Sequence, residues 1–289
     1  MQLEWTHITA ELVLVSTESR TWVHRPALCP GVDPFADPMT SRGSVCTTRR
    51  LLDGAVALSQ RTVLAREPGP PLSLGEYVDR LVAHYYTTHW SAWQLRRAAT
   101  RFQEGNRAEL AELAETLARH EQCHDLLAVR DLEALGYPTE FASRAPMDPQ
   151  TAALLHFALR CLAGAHPVTL FGYGYALLRA AGAVTADYLR VVQSLLPPGV
   201  NATRCLRAHS HLAGSSEYPA SLVEAIASLP AEDRARIVRA AYETTKIMFT
   251  PVEVAQSRSA QLASRPRINP TRRVQECEQA EEDIILVGR

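Results

Sequence analysis

The chain has 289 residues, of which 46% are hydrophobic and 21% charged, with a net charge of −1. That length suits one sizeable domain with its own core, and the near neutrality excludes a whole-molecule electrostatic pull toward nucleic acid. Six cysteines (Cys29, Cys46, Cys123, Cys161, Cys205 and Cys277) are scattered without a CxxC pair, which excludes a zinc knuckle or a thioredoxin motif.

No apolar run approaches the ~18 residues of a membrane span, and the N-terminus "MQLEWTHITAELVL" lacks the basic start and long apolar stretch of a signal peptide. The expected setting is a reducing cytoplasm, with no membrane and no nucleic-acid partner. "ELVLVSTESRTWVH", Glu11 to His24, alternates and is rich in β-branched residues, so it predicts a hairpin. "PALCPGVDPFADP" is loop, and Leu51 to Leu64 is ambiguous between classes. "EPGPPLS" punctuates the chain, with Ser73 placed to cap the helix that follows.

From Leu74 the period is helical. The first long helix runs to Phe102, with Tyr77, Leu81, Tyr85 and Trp93 at helical spacing. A second is expected from Arg107 to Leu135, stopped by Gly136. Asp148 or Pro149 opens a third, Pro167 a fourth, Ala183 a fifth and Ala202 a sixth. Tyr218 to Leu229 and Ala231 to Phe249 complete the set, and Pro251 breaks it. The tail "SRSAQLASRPRINPTRR" is polar and basic, and its lack of interleaved aromatics argues for a solvated segment rather than a nucleic-acid contact. "EDIILVGR" reads as a terminal strand that would join the N-terminal hairpin. The expected organisation is an N-terminal extension over 1–68, a helical domain over 69–250 and a tail over 251–289.

Within the second helix, Glu121 and His124 stand at i and i+3 and share a face. Glu-x-x-His on a bundle helix is the spacing of carboxylate-bridged metal sites, because both ligands project to one interior point. The same spacing also arises as a solvated glutamate beside a partly buried histidine.

"HEQCHDLLAVRDLEALGYP", followed by "HPVTLFGYGYALL" and "LRAHSHLAGSSEYPASLVEAIASL", resembles the heme-oxygenase-like diiron oxidase family over about Leu74 to Phe249. Its most telling phrase is Glu121, His124, Asp131, Leu132, Leu135, Gly136 and Tyr137. The resemblance implies an all-α bundle of about seven helices, here with a small β addition from both termini. It also implies non-haem iron, dioxygen and a small amino-acid-like or polar metabolite, often in natural-product pathways.

Carried over residue by residue, the ligand set is incomplete. Glu121, His124 and His209 match, but the first-helix glutamate is missing near Thr87, Thr88 and His89, and Leu178 and Ala213 stand where the family has carboxylates. A two-iron centre needs about four carboxylates, so a standard one is not expected.

Three readings stay open. One is a mononuclear oxidase or oxygenase on Glu121, His124 and His209, with His84 or His89 as a further ligand. Another is a metal-independent enzyme of the same superfamily. The third is a catalytically silent homologue that binds a ligand or a partner. Tyr175, Leu178 and Ala213 are candidate pocket residues, and Tyr173 and Phe171 either core or pocket. Cys205 with His209, or Cys123 with His124, offers a Cys/His pair whose plainer reading is packing. His120 shares His124's side of the helix, and Asp131 and Glu133 read as structural or solvated. A homodimer is expected, since an uncovered strand edge invites pairing.

Overall fold

The computed structural model describes residues 2–28, 31–40, 42–64, 71–214 and 217–250. Three N-terminal strands, β1 (Leu3–Thr9), β2 (Leu12–Thr17) and β3 (Thr21–His24), form an antiparallel sheet in the order β1-β2-β3. β2 and β3 are the predicted hairpin, with Leu14 opposite Val23 and Val15 opposite Trp22. β1 goes beyond that expectation. The centre strand is buried on both faces: Leu14 joins the main helical core, while Val13 and Val15 pack with Phe35 on the other side. The expected C-terminal strand lies outside the described residues.

Eleven helices follow among the described residues: α1 (Val45–Leu64), α2 (Leu74–Glu104), α3 (Ala108–Glu121), α4 (His124–Ala134), α5 (Phe141–Arg144), α6 (Pro149–Ala163), α7 (Thr169–Gly182), α8 (Ala186–Leu195), α9 (Arg204–Gly214), α10 (Glu217–Ser228) and α11 (Ala231–Phe249). The α2 start is a full capping box, in which Ser73 accepts from the Glu76 N–H and Glu76 reaches back to the Ser73 N–H. Asp148 caps α6 by accepting from Gln150 N and Thr151 N, with Pro149 in the first turn. Gly136, at φ 88, ends α4, and the backbone N–H groups of Gly136 and Tyr137 return to Glu133 and Leu132.

The ambiguous stretch is helical, and α1 buries Leu51, Leu52 and Ala55 in the same core as α7 and α11. Part of the expected N-terminal extension is therefore a helix of the main body.

The predicted second long helix is corrected. It is two helices, broken where Gln122 is extended and Cys123 is left-handed at φ 65. The break re-aims α4, whose Ala128, Val129 and Leu132 pack with α2, α5 and α9 in a second apolar cluster. That cluster is separate from the larger one formed by α1, α3, α6, α7, α10, α11 and the C-terminal half of α2.

The sheet is tied to the helices by a buried ion pair. Glu4 accepts from Arg234 Nε at 2.7 Å and from the hydroxyls of Thr47 and Thr48. Arg234 also donates to Leu229 O.

Candidate functional site

A cavity of about 480 Å³ lies on the seam between the two apolar clusters. Tyr77, Leu81 and Cys205 come from one, and Leu154, Leu170 and Phe171 from the other. One wall is a stripe along α2 at helical spacing: Arg80, His84, Thr87, Thr88, Ser91, Gln94 and Leu95. The opposite wall is α7, through Tyr173, Gly174, Leu177 and Leu178.

Glu121 closes α3 and is the only carboxylate among the described lining residues. His124, the first residue of α4, stands behind it in buried surroundings with Nδ1 3.5 Å from Glu121 Oε2. In front, Ser91 Oγ lies 3.4 Å from Glu121 Oε2 and donates more closely, at 2.7 Å, to Thr88 O. Thr88 Oγ1 donates to His84 O at 2.8 Å. Tyr173 is 3% exposed, and its hydroxyl has no hydrogen-bond partner among the described residues. Burial pushes the Tyr173 phenol up, and neighbouring Cys161 and Glu121 add to that, so it stays protonated.

At the outer end, Arg80 Nη1 donates to Tyr188 Oη at 2.6 Å, with its guanidinium 5.9 Å from the Tyr188 ring centroid. Tyr77 donates to Ala202 O at 2.5 Å, and burial pushes its phenol up as well.

The sequence-predicted residues divide. Glu121, His84 and Leu178 border the cavity, as does His120. His89 turns outward on α2, 44% exposed, with Nδ1 2.7 Å from Asp125 Oδ2 and its ring stacked on Tyr85. Tyr175 is not in the pocket wall. Its hydroxyl donates to Asp53 of α1 at 2.7 Å, because the α7 face that carries it packs against α1. His209 and Ala213 fall on α9, outside the described side chains.

The thiol of Cys205 is pushed well up by burial and by the Asp131 charge, which makes it an inert core group rather than an activated nucleophile. Asp131 is structural. Its carboxylate accepts from Arg204 N at 3.1 Å and Cys205 N at 2.9 Å and so caps α9. Sequence reasoning placed Thr88 where the first-helix ligand is lost and missed Ser91, Gln94 and Arg80. Their signal was a polar i, i+3, i+4 stripe on a face otherwise expected to be core.

Among the described residues the donor set does not fit two irons, since one lining carboxylate cannot neutralise and bridge them. Among the described residues no three His, Cys, Asp or Glu side chains group closely enough to hold a metal ion. No helix among them is long and apolar enough to cross a membrane.

No protein-family model matches the sequence, and no curated protein matches it. Several solved structures are similar in fold. One is a domain of unknown function with a heme oxygenase-like fold from Shewanella denitrificans OS217, at 19% identity and TM-score 0.58, covering 68% of this chain and 86% of that one. Another is a TenA homolog from Pseudomonas syringae pv. tomato DC3000, at 14% identity and TM-score 0.55, covering 74% of this chain and 98% of that one. The protein therefore has the heme-oxygenase-like helical fold, with a three-stranded N-terminal sheet added.

Proposed function

We propose that this protein handles a small organic molecule inside the helical cavity, with Glu121 as the working carboxylate and no two-iron centre. The observation that carries this reading is a single half-buried carboxylate set in a largely apolar cavity of about 480 Å³, a size suited to metabolites. His124 Nδ1 lies 3.5 Å behind the carboxylate, and Tyr173 supplies a protonated phenol to the same cavity. A carboxylate with a neighbouring proton donor is the equipment for binding and for acid–base chemistry on a bound molecule.

The test uses the neutral fluorescent probe N-phenyl-1-naphthylamine. Gly174 lines the cavity, and a Cβ there would meet nothing within 4 Å, so Gly174→Leu fills the space without forcing the backbone. Probe binding to the wild type should be lost in Gly174→Leu at a melting temperature no lower than that of the wild type. Equal binding by both proteins would refute the cavity reading.

A second reading keeps one non-haem iron, with dioxygen as co-substrate. It is favoured by the Glu121–His124 contact, with His209 as the further ligand that the sequence resemblance implies. Elemental analysis after anaerobic ferrous loading decides it: about one iron per chain, lost in His124→Ala, supports it. A protein that takes up no iron rejects it.

A further inference from the structure

The inner end of the cavity has a polarity that follows from where its hydroxyl protons go. The Thr88 proton is spent on His84 O and the Ser91 proton on Thr88 O at 2.7 Å or on Glu121 Oε2 at 3.4 Å, so both protons stay within the protein and the hydroxyls offer lone pairs to the cavity. Glu121 offers carboxylate lone pairs beside them. Tyr173 contributes a hydroxyl that no described residue engages, whose oxygen accepts from a ligand while its own proton remains available. Gln94, one turn farther along α2, presents either end of its amide. An anion here would be repelled by Glu121, and a neutral hydroxyl has one proton for several acceptors. A primary ammonium has three donors and a charge opposite to that of Glu121.

The other end sets a limit. Arg80 precedes Ser91 by 11 residues of continuous helix, about 16 Å of rise. Its guanidinium, held by Tyr188, is a fixed positive charge at that end. Between the ends the walls are Leu81, Leu154, Leu170, Leu177 and Leu178.

We propose that the ligand is an elongated primary monoamine: its ammonium sits among Glu121, Ser91, Thr88 and Tyr173, and its apolar body runs along α2 toward Arg80. This rests on the cavity being the small-molecule site and names what it takes. A diamine of the same length would set its second charge beside Arg80 and bind more weakly.

Calorimetric titration of the full chain with octylamine, octanol, octanoate and 1,8-diaminooctane tests it. The measurement is made at pH 8, where a primary alkylamine remains protonated. Octylamine should bind about tenfold more tightly than octanol, as expected for hydrogen bonds to a charged group. Octanoate should fail to compete, and the diamine should be the weaker amine. Glu121→Gln should remove the advantage of amine over alcohol, and Tyr173→Phe should weaken octylamine by about fivefold. If Glu121→Gln does not fold, the wild-type amine-to-alcohol ratio and Tyr173→Phe decide. Equal affinity for amine and alcohol, both lost in Gly174→Leu, would overturn the monoamine inference and leave the cavity reading standing. Amine binding that survives Gly174→Leu would overturn it as surface binding. Binding of none of the four probes would sink both.

Discussion

Glu121 ends α3 and His124 begins α4, yet their side chains face each other across 3.5 Å. The spacing that would make them neighbours on one helix survives a break between them, because Cys123 turns the chain through the left-handed region at φ 65. In that region an L side chain crowds its own carbonyl, at a cost of about 1–2 kcal/mol. Cys123→Val should therefore lower stability by about 1–2 kcal/mol, since β-branching worsens the crowding. Cys123→Gly should be neutral or slightly stabilising. Urea unfolding of the two variants checks this, and equal stability would mean that the turn is not strained.

Gly172 and Gly174 sit two residues apart on α7 and should respond in opposite directions. A Cβ on Gly172 would come within 2.1 Å of Ile237 O and 3.0 Å of Ala241 N, so α7 and α11 approach each other only because the side chain is absent. Gly172→Ala should cost about 3 kcal/mol or more, since backbone on both sides must shift. Gly174→Ala meets nothing within 4 Å and should gain about 0.5–1 kcal/mol from helix propensity. Thermal melts of the pair give the comparison directly.

The Glu4–Arg234 pair is 0% and 1% exposed and joins the first strand to the last helix. Removing one partner strands a buried charge, so Glu4→Ala should cost about 3–5 kcal/mol. Because Glu4 also takes the protons of Thr47 and Thr48, the loss should loosen the sheet as a unit. Hydrogen exchange should show reduced protection at β1 and β2 in this variant.

The helical body was readable wherever a boundary rests on local chemistry. Ser73 with Glu76, Asp148 with Pro149, and Gly136 each satisfy or stop a helix with their own atoms, and each did so where expected. The α3–α4 break has no glycine or proline to announce it. It comes from α4 tilting onto α2 and α9, which is a tertiary demand. α1 was ambiguous because Gly54 interrupts its apolar pattern, and what settles it is packing on α7 and α11. Glu121, His84 and Leu178, named from resemblance and spacing, border the cavity, whereas Tyr175 turns to Asp53 because the α7 face that meets α1 and the face that lines the cavity are both aromatic. Ser91 was missed because a hydroxyl whose proton goes to its own helix reads as an ordinary helical residue.

Asp131 makes the last prediction, because its burial and its hydrogen bonds pull in opposite directions. It is fully buried, and its two oxygens accept the first backbone N–H groups of α9. Asp131→Ala leaves those donors without acceptors and should cost about 2–3 kcal/mol. Burial pushes the carboxyl up, and this outweighs the downward pull of the Cys205 and Arg204 N–H groups and the Arg204 charge. The folded state then holds the proton more tightly than the unfolded chain. From the unfolded value of about 3.9 up to the higher folded value, this group's contribution to stability falls as pH rises. Asp131→Asn cannot titrate and lacks that slope. Urea midpoints measured from pH 4 to pH 7 should therefore show the wild type losing ground to Asp131→Asn as pH increases. The opposite trend would mean that the α9 N-terminus and Arg204 stabilise the ionised carboxylate more than burial penalises it.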